Sequence, residues 1–442
     1  MFDFSAAADK HRRLIFDAHD YIWHNAETGY REVKTTKYLA DAFEKLGYEV
    51  HLAEGITGFY TVLDTGREGP ELLILGELDS LICPDHPEAD KQTGAVHCCG
   101  HSAQCAALLG IAAALKEPHA LDELSGRIRL CAIPAEEGIE TEYRKELIRK
   151  GVIKYTCGKS EFLRRGYFDG VDLAFMIHST NEENFFVRYG SVGNIKKLIK
   201  YTGVAAHAGS APWNGVNALY AANLGLSAIN SLRETFKEED LIRVHPIITE
   251  GGVAANAIPD TVKIEGYVRG KTYTAISEAN KKVNRALIGG ALSLGANITI
   301  TDTAGSSPLV NDMNMVEIAK RAAEKIGERF IVKPILSTGS TDMGDLSSIM
   351  PVVHPYAAGA TGIAHGKNYY ITDVERCCVG SAKMQLEMLQ LLLSGNAAEA
   401  KRIIAEFKPQ FASKTDFLDF LDSLNTSDSR ITYTEEGAQV TL

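Results

Sequence analysis

Apolar residues along the chain follow two rhythms, and the change from one to the other divides it. Leu14, Ile15, Ala18, Tyr21 and Ile22 recur at three- and four-residue intervals, which predicts a helix reaching to about Trp23. A second helix is predicted over 35–46 and stopped by Gly47. Short β-rich runs follow at 48–52, 59–63 and 72–75, the last almost wholly apolar, as a central strand buried on both faces requires. An apolar helix-like segment covers 106–115, and further strands are predicted at 127–133 and 171–177. The charged stretch 139–172 reads as one or two extra helices.

From about Tyr189 the order becomes strand 194–201, helix 216–236, strands 242–249 and 262–269, helix 275–294 and strand 298–302. That β-α-β-β-α-β sequence is the split βαβ of a ferredoxin-like domain. A helix at 312–326, an apolar strand at 352–356 and a long helix at 373–393 then resume the first pattern. The expected organisation is therefore a domain in two parts, 1–189 and 307–442, with 190–306 inserted. The tail after about Asn425 is polar and expected to be ordered, if at all, by docking.

Composition narrows the classes. A chain of 442 residues, 45% hydrophobic and 23% charged, can bury large cores and suits two or three domains. Its net charge of −11 and the lack of a basic stripe argue against nucleic acid or an anionic membrane as partner. No run reaches the roughly 20 apolar residues of a membrane span, and the N-terminus lacks a signal-peptide layout, so the chain reads as cytoplasmic. The eight cysteines include two adjacent pairs in apolar surroundings, which suits reduced thiols better than disulfides.

The chemistry gathers at strand ends. The exit of 72–75 carries Gly76-Glu77-Leu78-Asp79, with Glu77 and Asp79 on one side by period-two alternation. Solvated turn acids would look the same. The exit of 127–133 carries Pro134-Ala135-Glu136-Glu137-Gly138, where one carboxylate can bind a cation while its neighbour holds a water. Strand 171–177 delivers His178 at its tip. Between them lies Val96-His97-Cys98-Cys99-Gly100-His101-Ser102-Ala103-Gln104-Cys105. Gly100 permits a tight turn that aims Cys99 and His101 at one centre, and thiol and imidazole suit borderline-soft divalent metals. Taken alone, the stretch fits a packed helix start equally well. Three consecutive strand exits bearing acids or histidine favour the functional reading.

Those residues, with others downstream, resemble the amidohydrolase and aminoacylase branch of the cocatalytic metallopeptidase superfamily, which includes hippurate, indole-acetyl-amino-acid and p-aminobenzoyl-glutamate hydrolases. The stretch from His24 to Glu32 is similar to the family's H-x-x-P-E-L-G-x-x-E, with Ala26 in place of proline. The run from Gly76 to Leu81 resembles A-D-M-D-A-L, VHCCGHSAQCAALLG resembles M-H-A-C-G-H-D-x-H-x-A-x-L-L-G, and IPAEEG nearly repeats Q-P-A-E-E-G. Further on, Gly203 to Ala208 matches G-x-x-x-H-A, and GGVAANAIPDTVKIEGYVR matches the family's G-G-x-A-x-N-x-I-P-D…R. His365 in GIAHG resembles its last ligand histidine, and GSTDMGDLS is nearest the aminobenzoyl-glutamate subgroup. Seven motifs in order make the resemblance specific.

The resemblance implies an α/β fold: a mixed-sheet α/β/α metallopeptidase-like catalytic domain with an inserted ferredoxin-like lid and dimerisation domain. It implies Cys99, His101, Glu137, His178 and His365 as ligands of two divalent ions, manganese or zinc first, nickel or cobalt also suitable. Cys99 would bridge, and Glu136 would be the general base acting on the metal-bridged water. Two ions about 3.5–4 Å apart do need a bridging ligand and mixed N, O and S donors. Glu77 and Asp79 would orient the ligands. His207, on the lid, would stabilise the carbonyl oxygen in the partner subunit of a homodimer, while Asn256 and Arg269 hold the carboxylate of a small-molecule substrate. The implied reaction is hydrolysis of the amide of an N-acyl or N-aroyl amino acid, aminobenzoyl-glutamate-like compounds and dipeptides included. The rivals are hydrolytic deamination of an aromatic amine on the same dinuclear site, and a silent partner subunit. Ser102 and Gln104 stand where the family has aspartate and histidine, and Ser179-Thr180-Asn181 departs from the pattern after His178.

Overall fold

The computed structural model describes residues 2–441 and divides them into two compact units. The first comprises residues up to Gly190 together with Val310–Ile335 and Asp345–Lys414, and the second comprises Ser191–Leu309, Leu336–Gly344 and the chain from Thr415 onward.

The first unit is built on a six-stranded sheet in the order His51–Leu52, Phe59–Asp64, Arg127–Ile133, Glu71–Glu77, Leu173–Phe175, Val352–Val353. The last four strands run parallel and the first two are antiparallel to their neighbours. All seven residues of Glu71–Glu77 are buried, because this strand lies centrally and has both faces covered. Glu77 is level with Ile133, so the exits of Glu71–Glu77 and Arg127–Ile133 deliver Glu77, Asp79, Glu136 and Glu137 at the same carboxyl end of the sheet.

Helix His101–Leu115 is buried over its full fifteen residues, which is why its sequence is apolar all round rather than on one stripe. A Cβ at Gly110 would lie 2.4 Å from Ile15 Cδ1, so a glycine is what lets helix Arg12–Trp23 approach it. The long helix foreseen at 373–393 begins with a wider-wound turn, Glu375–Gly380. It continues as Ser381–Glu406 with non-helical backbone from Ser394 to Ala397. Strand Phe185–Ser191, which the apolar pattern had not singled out, joins a smaller sheet with Tyr356–Ala358 and His178–Thr180.

The charged segment after Glu137 forms two helices, Thr141–Arg149 and Gly158–Arg164. Every residue from Gly158 to Leu163 is buried, Lys159 and Glu161 included, where a charged composition would suggest a solvated surface.

In the second unit the antiparallel sheet runs Arg243–Glu250, Thr261–Gly270, Gly193–Thr202, Asn297–Ala304, Thr426–Ser429. Helices Ala218–Leu232 and Tyr273–Ser293 complete the β-α-β-β-α-β order of a ferredoxin-like fold. Strand Gly193–Thr202 alternates strictly, sending Ile195, Ile199 and Tyr201 inward. The two helices meet at glycines: a Cβ on Gly290 would lie 2.4 Å from the Gly225 nitrogen. Thr426–Ser429, in the polar tail, docks as the fifth strand along Asn297–Ala304.

Candidate metal centre

Three turns carry the centre, and each is held by backbone contacts. Gly100 takes a left-handed φ of 89° at the start of helix His101–Leu115. A Cβ there would lie 2.1 Å from Ser179 Oγ and 2.5 Å from Tyr369 Oη, so conformation and space both demand glycine. At the second turn Ala135 has a φ of 58°, unusual for a residue with a side chain, and its N–H donates to Glu32 Oε1 at 2.9 Å. Glu137 N–H donates to Asp79 Oδ2 at 2.9 Å, which ties this turn to the neighbouring strand exit. His365, at a φ of 66°, is anchored by its N–H to the Cys98 carbonyl at 2.8 Å.

These turns, with strand His178–Thr180, bring the five expected donors together. Ligand atoms of Cys99, His101 and His178 lie within 4.8 Å of one another, and so do those of Cys99, Glu137 and His365 and those of His101, Glu136 and Glu137. Cys99 Sγ is 3.3 Å from His178 Nε2, and His365 Nε2 is 3.5 Å from Glu137 Oε1. Cys99, His101 and Glu137 each belong to two of these three groups, so the groups share their ligands. Cys98 and Cys105 are fully buried core residues, and Cys105 donates its thiol to the Glu77 carbonyl at 2.9 Å.

The donor set suits a divalent cation. His101 Nδ1 lies 2.8 Å from the Asp79 carbonyl and His178 Nδ1 lies 2.8 Å from the Ser179 carbonyl. A carbonyl only accepts, so both Nδ1 atoms carry the proton and both Nε2 atoms present a lone pair to the centre, the usual arrangement of metal-binding imidazoles. His101 Nε2, Glu137 Oε1 and Asp79 Oδ1 are buried without a hydrogen-bond partner among the described residues. Such a concentration of lone pairs is costly to bury unless a cation satisfies them.

Electrostatics agree. Burial first, and then the charge of His101, holds His178 down at about 3, so its imidazole is neutral at any ordinary pH. For His101 burial acts in the same downward sense, but Cys99 and Glu77 outweigh it and raise the ring well above 6.5, so in the absence of a cation Nε2 carries a proton, and a bound ion would take that proton's place. Burial, followed by the Glu137 charge, pushes the Cys99 thiol up, so a nearby cation is what would keep it as thiolate. Glu137 is raised too, by burial and by Asp79, against the pull of His365 and His101.

The remaining expected residues are placed as follows. Glu77 and Asp79 are fully buried beside His101, with Glu77 Oε2 3.2 Å from His101 Nε2. His207, Asn256 and Arg269 belong to the second unit. His207 Nδ1 accepts the N–H groups of Gly209 and Ser210, both at 3.1 Å, so its ring proton sits on Nε2. Asn256 is exposed, and its carbonyl accepts the Ala208 N–H at 2.9 Å beside that histidine. Arg269 lies over the Tyr267 ring at 4.4 Å, and its Nε is buried without a partner among the described residues.

Sequence reasoning missed Arg144 and Lys159. Arg144, 1% exposed, donates Nη1 to the Thr156 carbonyl at 2.7 Å and Nη2 to the Glu137 carbonyl. Lys159 donates to Glu77 Oε1 at 2.6 Å. Both come from the charged segment. The one sequence signal was Gly158 before Lys159, a small residue where the segment turns back on the sheet.

A mixed sheet whose parallel strand exits bear such a centre defines a metallohydrolase architecture. The chain belongs to peptidase family M20/M25/M40, which residues 73–390 match. It is 28% identical over 331 residues to the mouse Xaa-Arg dipeptidase, covering 73% of this chain and 69% of that protein. It is 28% identical over 313 residues to one of the subunits of the Escherichia coli p-aminobenzoyl-glutamate hydrolase, covering 69% of this chain and 61% of that one, less than two thirds of its length. A Bacillus subtilis structure described as a dinuclear metal binding peptidase of the M20 family superposes with a TM-score of 0.68 at 21% identity, covering 87% of this chain and 99% of that one.

Proposed function

We propose that the chain hydrolyses the amide bond of an N-acyl or N-aroyl amino acid or a dipeptide at a dinuclear centre held by Cys99, His101, Glu137, His178 and His365. The observation that carries this reading is the convergence of the His101 and His178 Nε2 lone pairs on Cys99, with each Nδ1 pinned to a backbone carbonyl. Two divalent ions bound there, manganese or zinc by preference, would supply Lewis acidity to a water and to the scissile carbonyl. Glu136, half-buried and close to His101 and Glu137, takes the water's proton and passes it to the leaving amine. Asp79 keeps the Glu136–Glu137 turn in place through the Glu137 N–H. His207, with its proton on Nε2, is suited to donate to the carbonyl oxygen as negative charge develops there. Arg269 and Asn256 receive the substrate carboxylate, for which the planar guanidinium offers a bidentate fork.

His207 would act across a homodimer formed through the second unit. The relatives named above act on a dipeptide and on an aroyl-glutamate by name, which supports a substrate with a free carboxylate. Eight free thiols suit the cytoplasm. The test is metal analysis of the purified protein followed by assays on N-acyl amino acids, aminobenzoyl-glutamate and dipeptides, with ammonia measured in parallel. Release of an amino acid supports the proposal. Release of ammonia alone would make the chain a deaminase, and full metal occupancy without turnover on any amide would point to a catalytically silent protein.

A further inference from the structure

Lys159 is 0% exposed and its partner Glu77 is 1% exposed, so this is an ion pair wholly withdrawn from water. Desolvating two charges costs several kcal/mol per ion, and an apolar pair of similar size is often as stable. A buried pair of this kind beside a candidate metal centre therefore calls for a role other than stability. The Glu77 carboxylate is held on both oxygens: Oε1 accepts the Lys159 ammonium at 2.6 Å and Oε2 accepts the Gln104 amide at 2.9 Å. The Gln104 carbonyl in turn accepts the Glu77 N–H at 3.1 Å. Thus fixed, Glu77 Oε2 lies 3.2 Å from His101 Nε2, so the carboxylate charge stands beside the nitrogen that faces the centre.

The segment that brings the lysine is seated tightly. A Cβ on Gly158 would lie 1.7 Å from the Pro134 carbonyl oxygen, and Gly158 N–H donates to the Ala135 carbonyl at 3.1 Å. No residue with a side chain could occupy 158 without moving the turn that carries Glu136 and Glu137. From that anchor Lys159 reaches the neighbouring strand exit, so a single helix start touches both carboxylate-bearing turns.

We propose that Lys159 is a positioning residue of the metal centre. Its fixed positive charge balances Glu77 and, through the Glu77 carboxylate, sets the place and orientation of His101; Gln104 shares that task. The inference rests on the dinuclear hydrolase reading, and the experiment separates the failure of one from the failure of the other.

Wild-type protein, Lys159→Met and Gln104→Met are each loaded with Co2+ and compared by visible absorption, by metal affinity in competition with a chelator, by kcat and KM, and by thermal unfolding. Lys159→Met should shift the cobalt bands, weaken metal binding roughly 10–100-fold, the usual cost of losing a group that orients a ligand, and lower kcat more than KM rises. Gln104→Met should change the spectrum in the same sense and by less. The double variant Glu77→Gln/Lys159→Met, which removes both charges, should recover thermal stability without recovering the spectrum. A Lys159→Met protein that is only less heat-stable, with wild-type cobalt bands and affinity, would overturn the proposal. Should Lys159→Met not fold, an unchanged spectrum in Gln104→Met overturns it equally. Wild-type protein that takes up no divalent ion sinks the dinuclear reading and this inference with it.

Discussion

Glu32 Oε1 accepts the Ala135 N–H at 2.9 Å, so a residue at the start of helix Val33–Lys45 holds the turn that presents Glu136 and Glu137 more than a hundred positions later. The same carboxylate accepts the Thr57 hydroxyl at 2.5 Å through its other oxygen. Burial first, with the Asp79 charge added, raises its pKa from 4.5 to about 8. An acid raised on folding stabilises the fold fully below its unfolded pKa, and that contribution is lost as pH climbs through the folded one. Thermal stability of the wild type should therefore decline between about pH 5 and pH 8 relative to Glu32→Gln, which keeps an acceptor and cannot ionise. Calorimetric Tm values for both proteins across that range check it; a constant difference between them would show that Glu32 does not titrate there.

Gly100→Ala should be among the most damaging single-methyl changes in the chain. It places a Cβ against Ser179 Oγ and Tyr369 Oη at a backbone angle that suits glycine. Strain and overpacking together should cost about 2–4 kcal/mol in urea denaturation. The comparison Gly47→Ala has a similar positive φ with nothing within 4 Å of the new Cβ, so it should lose only the conformational part, about 1 kcal/mol.

Glu136→Gln should leave metal content near wild type and lower turnover by roughly two to four orders of magnitude. Cys99→Ala should instead lose metal, since its sulfur is shared between two groups of candidate ligands. Elemental analysis with a single-substrate rate assay separates the two effects, and full metal retention by Cys99→Ala would return that residue to packing alone.

Mixing His207→Ala protomers with Glu136→Gln protomers should restore part of the activity if His207 serves the neighbouring subunit. Hybrid dimers isolated by two affinity tags and still inactive would confine His207 to its own chain.

The strand exits were legible because apolar runs such as 72–75 and 127–133 show where the sheet ends, and the recurrence of acids or histidine just beyond three such runs set them apart from single solvated turn acids. Cys99, His101, Glu137, His178 and His365 could be picked out from motifs, and the structure brings them within reach of one another. Lys159 and Arg144 could not. Their burial follows from tertiary contacts that no local pattern encodes, and a run such as EYRKELIRKG has the composition of a solvated helix. Phe185–Ser191 escaped notice for a related reason: Arg188 is only partly buried, Tyr189 is exposed, and the two interrupt its apolar run. The polar tail behaves as its composition suggests, since Thr426–Ser429 is ordered by docking and needs no apolar face to pair through its backbone along a sheet edge.

The first unit is interrupted in sequence, and this bears on how the protein is made. Strand His178–Thr180 finds its parallel partner in Tyr356–Ala358, and His365 comes later still. On a ribosome adding roughly 5–20 residues per second, the nascent chain spends about 10–35 s between completing His178 and completing His365. During that interval the thiols and imidazoles of the earlier segments exist without their later companions, open to adventitious ions or oxidants. The centre proposed above is therefore complete only once the C-terminal third of the chain has been translated.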